Sequence, residues 1–67
     1  MKSKWKVTSN PIGDRIKYAV YRLLDQQKTD HSGNREFATM YMDDRAQAQA
    51  IADQMNEADP GVVEKLI

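Results

Sequence analysis

The sequence has no cysteine and only one histidine among its 67 residues. Without thiols the chain can form neither disulfides nor thiolate metal sites, which removes the usual stabilisation of small secreted proteins. One imidazole with scattered carboxylates gives no metal-ligand spacing, so we expect no metal and no cofactor. No apolar run approaches the roughly 18 residues of a membrane span, and residues 1–10 lack the apolar stretch of a signal peptide. These absences favour a soluble, cytoplasmic protein without a membrane partner.

The chain is also too short to bury much of its surface. A domain of this length buries only about 60% of the surface that its unfolded chain exposes, so its stability is marginal. We expect a single domain, residues 1–67, without room for a deep substrate cleft. Self-association is one way in which so small a domain gains stability.

Neither positive nor negative charge is in excess, because ten basic residues balance ten acidic ones. The balance hides an asymmetry along the chain. Residues 1–36 hold eight basic against four acidic residues, a net of +4, and residues 37–67 hold two against six, a net of −4. The sequence is therefore a charge dipole.

Local patterns predict three strands followed by a helix. Residues 4–8 alternate polar and apolar side chains, and residues 10–14 gather turn formers. Residues 16–24 are rich in β-branched and aromatic residues, which favours a second strand, and residues 36–42 read as a third. Asp44 then begins a capping-box pattern, so we expect the helix to start there.

The same patterns predict which side chains face the core. Trp5 and Val7 share one face of the first strand, and we favour Tyr18 and Val20 as the inward side of the second, although its opposite side is also apolar. The helix has one narrow apolar stripe at helical spacing. Its members are Ala48, Ile51, Ala52 and Met55.

The register of the third strand stays open at this point. If Met42 points into the core beside the helix cap, then Ala38 and Met40 do so too, because side chains alternate along a strand. The outward residues are then Phe37, Thr39 and Tyr41. The opposite register, which buries Phe37 and Tyr41, agrees almost as well with the hydrophobicity of the side chains.

The predicted fold is α+β: a three-stranded antiparallel sheet with one helix packed on one face, in the order βββα. Residues 57–67 form a tail in which Asp59–Pro60 is a good start for a short helical turn. The apolar residues of this tail are Val62, Val63, Leu66 and Ile67. They can cover the other face of the sheet, contact a second copy of the chain, or fray.

The sheet face that the helix leaves open carries basic residues between aromatic ones. That combination suits a nucleic-acid backbone and its bases, whereas overall neutrality weakens long-range attraction. The candidate nucleic-acid contacts are Lys4, Lys6, Lys17, Tyr21, Arg35 and Tyr41. A solvated face or a protein contact explains the same residues.

The segment 26–34 is polar and predicts a long exposed loop. Asp30 to Arg35, which begins in this loop, is the densest polar cluster in the chain. A structural turn at Ser32–Asn34 explains most of these residue types. An anion-binding loop is the alternative, and its candidates are Lys28, His31, Gly33 and Arg35. Catalysis needs held geometry and exclusion of water, which a loop on a domain of this size does not supply, so we expect no enzymatic activity.

The strand around Lys4-Trp5-Lys6-Val7, the hairpin and a third strand that runs into a capped, Ala-rich helix resemble the N-terminal arm-type DNA-binding domain of phage and transposon integrases. The resemblance covers about residues 4 to 56 in order and length. It implies a sheet that lies in the major groove, with Lys4, Lys6 and Lys17 on phosphates and Tyr21 or Thr39 near bases.

The motif that joins strand and helix departs from that family. The family commonly has Phe, a spacer, Thr, and then an acidic residue followed by Ala; this chain has Met42, Asp44, Gln47 and Ala48 there, and only the alanine is identical. Residues 18–23 and 30–36 also resemble short bacterial proteins of unknown function, some of them near mobile elements, which implies nothing biochemical.

The sequence thus favours a small non-enzymatic protein that binds nucleic acid through the open sheet face. The alternative is a protein-interaction or self-associating module that uses the same face together with the apolar tail.

Overall fold

The structure, a computed structural model, describes residues 1–58. They form β1 (Lys6–Ile12), β2 (Arg15–Leu23), a 3₁₀ turn at Ser32–Asn34, β3 (Arg35–Phe37) and α1 (Arg45–Ala58). The strands make an antiparallel sheet in the order β1-β2-β3. The α+β arrangement of three strands and one helix is therefore confirmed among these residues.

The predicted tail overlaps α1 at its first two positions, because Glu57 and Ala58 belong to the helix. The rest of that prediction, which concerns Asp59–Pro60 and the apolar residues that follow, lies outside the described residues. No helix within residues 1–58 combines the length and the apolarity that crossing a membrane requires.

The hairpin between β1 and β2 is tighter than predicted. Pro11 and Ile12 belong to β1, and Gly13 and Asp14 alone form the turn. Gly13 has a φ of 67°, a left-handed conformation that glycine adopts without the steric cost of a Cβ atom. Proline fits this strand because β1 lies at the edge of the sheet, where a missing amide hydrogen need not interrupt the ladder.

The core lies between the sheet and α1. Val20 is fully buried and packs with Trp5 against Ala48 and Ala52, which are also fully buried. Small alanine side chains let the helix approach the sheet closely. The favoured facing of both strands is confirmed, because Val7 and Tyr18 pack on the same cluster, as do Ile51 and Met55 of the predicted helix stripe.

The start of α1 is also as predicted. The Asp44 carboxylate accepts hydrogen bonds from the backbone amides of Ala46 (2.9 Å) and Gln47 (3.4 Å), so two amides of the first helical turn are satisfied.

The far end of α1 is tied to the first residues of the sheet by Asn56. Its Oδ1 accepts from the Trp5 backbone N–H at 2.7 Å, and its Nδ2 donates to the Trp5 carbonyl at 3.0 Å. The side-chain amide thus takes the place of a neighbouring strand at this position of the outer edge. Nothing in the sequence pattern predicts this contact across 51 positions.

The third strand is shorter and less regular than predicted. Only Arg35–Phe37 forms a strand, and the chain returns to β2 at an isolated bridge between Tyr18 and Met42. Tyr21 pairs with Phe37, and Tyr18 forms the bridge to Met42. Between these two pairs β2 has two residues and the opposite segment has four, so the opposite segment carries an insertion of two residues. The Thr39 hydroxyl accepts from the Val20 N–H at 3.0 Å inside this insertion.

This insertion decides the open question of register. Met42 packs on the core and Phe37 faces outward, which is the first of the two alternatives. The inward facing of Ala38 and Met40 is wrong, since both are exposed and Met40 is 87% exposed. Alternation holds only along a continuous strand, and the two extra residues push Met40 out of the sheet.

Candidate nucleic-acid interface

The sheet face opposite α1, called the open face below, carries the side chains that alternate with the core residues. It consists of Lys4, Lys6 and Thr8 near β1, Lys17, Ala19, Tyr21 and Leu23 on β2, Arg35 and Phe37 on β3, and Tyr41. Five of the six residues that the sequence predicts as nucleic-acid contacts are at least partly accessible there, and Tyr21 is the exception.

Three aromatic rings form a row across the outer half of this face. The ring centroids of Tyr21 and Phe37 are 5.9 Å apart and those of Phe37 and Tyr41 are 6.0 Å apart, both in tilted arrangements. Such pairs contribute about 0.5–1.5 kcal/mol each beyond the area they bury. Phe37 is nevertheless 44% exposed, whereas Tyr21 is only 6% exposed. The row therefore has a buried end and a large accessible ring in the middle.

Arg35 covers the buried end of the row. Its guanidinium carbon lies 4.4 Å from the centroid of the Tyr21 ring, the distance of a cation–π contact. Its Nε donates to Asp30 Oδ1 at 2.7 Å, and Nη1 reaches the Thr8 hydroxyl at 3.5 Å. One arginine thus links β3, β2 and β1.

Asp30 comes from the loop between β2 and β3 and lies against the open face. Its second oxygen accepts a hydrogen bond from the Tyr21 hydroxyl at 3.2 Å. The Arg35 hydrogen bond lowers the pKa of Asp30 from its ordinary value, a shift that partial desolvation opposes and the Tyr21 hydrogen bond reinforces. Burial, followed by the negative charge of Asp30, raises the pKa of the Tyr21 hydroxyl. At neutral pH this cluster is a carboxylate held by a cation and a phenol.

The lysines of the face differ in how they are paired. Lys17 Nζ lies 3.1 Å from Asp43 Oδ1. Lys4 and Lys6 make no ion pair with any residue of 1–58, although Lys6 contributes to the lowered pKa of Asp30 through its charge. Both lysines line a shallow groove with Ser3, Leu23 and Gln26 at the end of the sheet.

Two of the residues predicted to bind an anion, Gly33 and Arg35, have other partners in the structure. The Gly33 amide donates to His31 Nδ1 at 3.1 Å, so it is engaged inside the loop. Arg35 instead reaches across the sheet toward Asp30. Anion binding at Lys28, His31 and Gly33 stays a prediction without geometric support.

Asn34 organises this loop. It is buried, and its side chain accepts from the Asp25 amide (2.9 Å) and donates to the carbonyls of Asp25 (2.9 Å) and Thr29 (3.2 Å). The 3₁₀ turn at Ser32–Asn34 agrees with the structural reading of the Ser-Gly-Asn segment. The loop is therefore held by its own hydrogen bonds on both sides of Asp30.

Sequence reasoning did not predict three residues of this candidate interface as contacts. Phe37 was expected to face outward, but nothing distinguished it as the accessible ring of a row. Asp30 reaches the face only through the path of the loop, and Thr8, which lies there by strand alternation, joins the cluster through Arg35. Within residues 1–58, no three His, Cys, Asp or Glu side chains form a group that could hold a metal ion.

Comparison of the chain with protein-family models, curated proteins and solved structures found no match. The resemblance to the arm-type domain of integrases therefore stays a prediction.

Proposed function

We propose that this protein binds nucleic acid through the open face and carries out no chemistry on it. The observation that carries the proposal is the Phe37 ring, 44% exposed and held between Tyr21 and Tyr41 in a row of aromatic residues. A single-stranded base that stacks on such a ring contributes about 1–3 kcal/mol of binding free energy.

The charges around the ring support the same proposal. Four basic residues of this surface, Lys4, Lys6, Lys17 and Arg35, stand against two acidic ones, Asp30 and Asp43, a net of +2. On the opposite side, α1 with its cap holds one basic and three acidic residues, a net of −2. Part of the charge asymmetry along the chain therefore also separates across the sheet, although Arg22 of the basic half lies over Trp5 on the α1 side. The resulting field favours phosphate at the open face within about one Debye length, roughly 10 Å at 0.1 M salt.

The experiment is a titration of a fluorescein-labelled single-stranded oligonucleotide, followed by anisotropy, at several salt concentrations. We expect binding at low salt, with a logarithmic slope of about −2 to −3 because three or four phosphates are neutralised. Absence of binding at low salt would overturn the proposal.

A matched pair of variants tests the role of the ring. Phe37→Ala should weaken binding by about 5- to 150-fold because it removes a stacking contact of about 1–3 kcal/mol. Met40→Ala is the control, since Met40 is a large exposed side chain three positions away that lies outside the row. Equal affinities of the two variants would show that the ring is not used.

Self-association is the second candidate, and the outer edge of β1 favours it. Trp5 directs its N–H and C=O away from β2 toward Asn56, and Val7 and Ser9 repeat that orientation because backbone direction alternates. Among residues 1–58 no backbone partner meets Val7 or Ser9 on that side. Such an edge can pair with the same edge of a second copy. Sedimentation equilibrium tests this, and a monomer at high concentration would remove its support.

A further inference from the structure

The Asp30 carboxylate occupies a place that is built like a site for an external anion. Tyr21 Oη and Arg35 Nε each donate to one of its oxygens, at 3.2 and 2.7 Å, and Lys6 adds a positive charge nearby. A guanidinium, a hydroxyl and an ammonium group are the donors that bind phosphate oxygens in proteins. This set is the same whether a carboxylate or a phosphodiester occupies it.

Asp30 is held there only weakly. Its side chain is 38% exposed, and that of Arg35 is 25% exposed. Exposed ion pairs contribute little to stability, because water and salt screen them and ordering two side chains is unfavourable. Exchange of this carboxylate for a phosphodiester of a polyanionic strand therefore has no large free-energy cost.

The loop does not have to unfold for Asp30 to leave. The Asn34 side chain fixes the backbone at Asp25 and Thr29, and the Leu24 amide donates to the Asn34 carbonyl at 2.9 Å. These bonds involve neither oxygen of the Asp30 carboxylate. A change of side-chain rotamer is enough to open the site.

The neighbouring ring indicates which nucleic acid fits. The ring centroids of Phe37 and Tyr21 are 5.9 Å apart, so a phosphate at the Asp30 position has the accessible Phe37 ring in its neighbourhood. A base can stack on that face only when it is not already stacked inside a duplex.

We propose that Lys6, Tyr21 and Arg35 form a phosphate site for single-stranded nucleic acid, and that Asp30 is its built-in competitor. The inference rests on the proposed function and adds the strandedness of the ligand and a residue that limits its affinity. While Asp30 occupies the site, affinity is low; when a phosphodiester displaces it, the adjacent base stacks on Phe37.

The test compares Asp30→Asn with Asp53→Asn, using a single-stranded oligothymidylate and a duplex of similar length at constant salt. Both variants remove one negative charge, but Asp53 lies on the exposed side of α1, away from the open face. We expect Asp30→Asn to bind the single strand about tenfold more tightly than the wild type, since a charge close to the ligand is lost. Asp53→Asn should change the affinity by less than about twofold, because its charge is distant and screened.

The remaining outcomes either distinguish this proposal from the proposed function or overturn both. If Asp30→Asn and Asp53→Asn have the same effect while the wild type binds and Phe37→Ala binds less, the competitor is wrong and the proposed function stands. Duplex binding as tight as single-strand binding overturns the assignment of strandedness alone. If neither wild type nor variants bind, both proposals fail. Asp30→Ser, with a smaller neutral side chain, repeats the test in case the asparagine variant folds poorly, and it should also bind more tightly.

Discussion

The two faces of the sheet are closed in different ways. On the α1 side, Val20, Ala48 and Ala52 are fully buried against one another. Arg22, whose Nε donates to Glu36 Oε1 at 2.8 Å, stacks on the Trp5 ring of the same cluster, 4.3 Å from its centroid. On the open face, Tyr21 is buried almost as completely, but beneath an arginine that a carboxylate holds in place. Apolar packing is nearly insensitive to salt and pH, whereas the charged cover depends on both. Both faces thus have an arginine held by a carboxylate over an aromatic ring, but the α1 side also has the fully buried apolar contacts of the helix.

The largest effect should come from overpacking the α1 side. Ala52→Leu inserts three carbon atoms where the helix lies close to the sheet, so we expect the free energy of unfolding to fall by about 1–3 kcal/mol. For a domain of this size that corresponds to roughly 4–8 °C in Tm for each kcal/mol. Thermal denaturation measures it.

Ala50→Leu is the matched control, because Ala50 is exposed on the same helix. It should leave Tm nearly unchanged. Equal effects of the two substitutions would mean that the close contact of helix and sheet is not where the structure places it.

A smaller effect is expected at the end of α1. Asn56→Ala removes two hydrogen bonds to the Trp5 backbone, which should lower the free energy of unfolding by about 1–2 kcal/mol. Hydrogen exchange of the Trp5 amide should accelerate as well. Gln54→Ala, at an exposed position of the same helix, is the control. Unchanged protection of the Trp5 amide in Asn56→Ala would contradict the anchoring role.

The smallest effect is the pH dependence of the open face. Because the pKa of Asp30 is lowered in the folded protein, its contribution to stability is complete above the ordinary carboxyl pKa of 3.8 and is lost as the pH falls through the lowered value. The stability difference between wild type and Asp30→Asn should therefore be largest near neutral pH and shrink below about pH 4. Urea denaturation at several pH values measures this difference in the free energy of unfolding. A difference that grows on acidification would contradict the stabilising contact between Asp30 and Arg35.

The contrast between the faces also explains what the sequence could predict. Periodicity locates the α1 side well, since Trp5, Val7, Tyr18 and Val20 alternate along strands and the helix stripe recurs at helical spacing. The Asp44 cap is equally local, because its partners lie two and three residues away. Such features depend on local sequence patterns and can be predicted without knowledge of the tertiary fold.

The open face depends on contacts that have no periodicity. Whether Asp30 reaches the Tyr21 hydroxyl depends on the path of the eleven residues between β2 and β3, and Asn56 meets Trp5 only after the whole domain has folded. The two-residue insertion before Met42 breaks the alternation on which the register argument relied. The residues expected on the open face lie there except Thr39, whose hydroxyl accepts from the Val20 amide, and the interactions that cover the face were not predicted.

The most direct test of the account is a chemical-shift titration of the labelled protein with single-stranded oligonucleotide. The account predicts that the perturbed signals cluster at Lys6, Arg35, Phe37 and Tyr41, while those of Ala48 and Ala52 behind the sheet stay in place. Perturbations concentrated on α1, or none at saturating oligonucleotide and low salt, would contradict the claim that the open face is the binding surface.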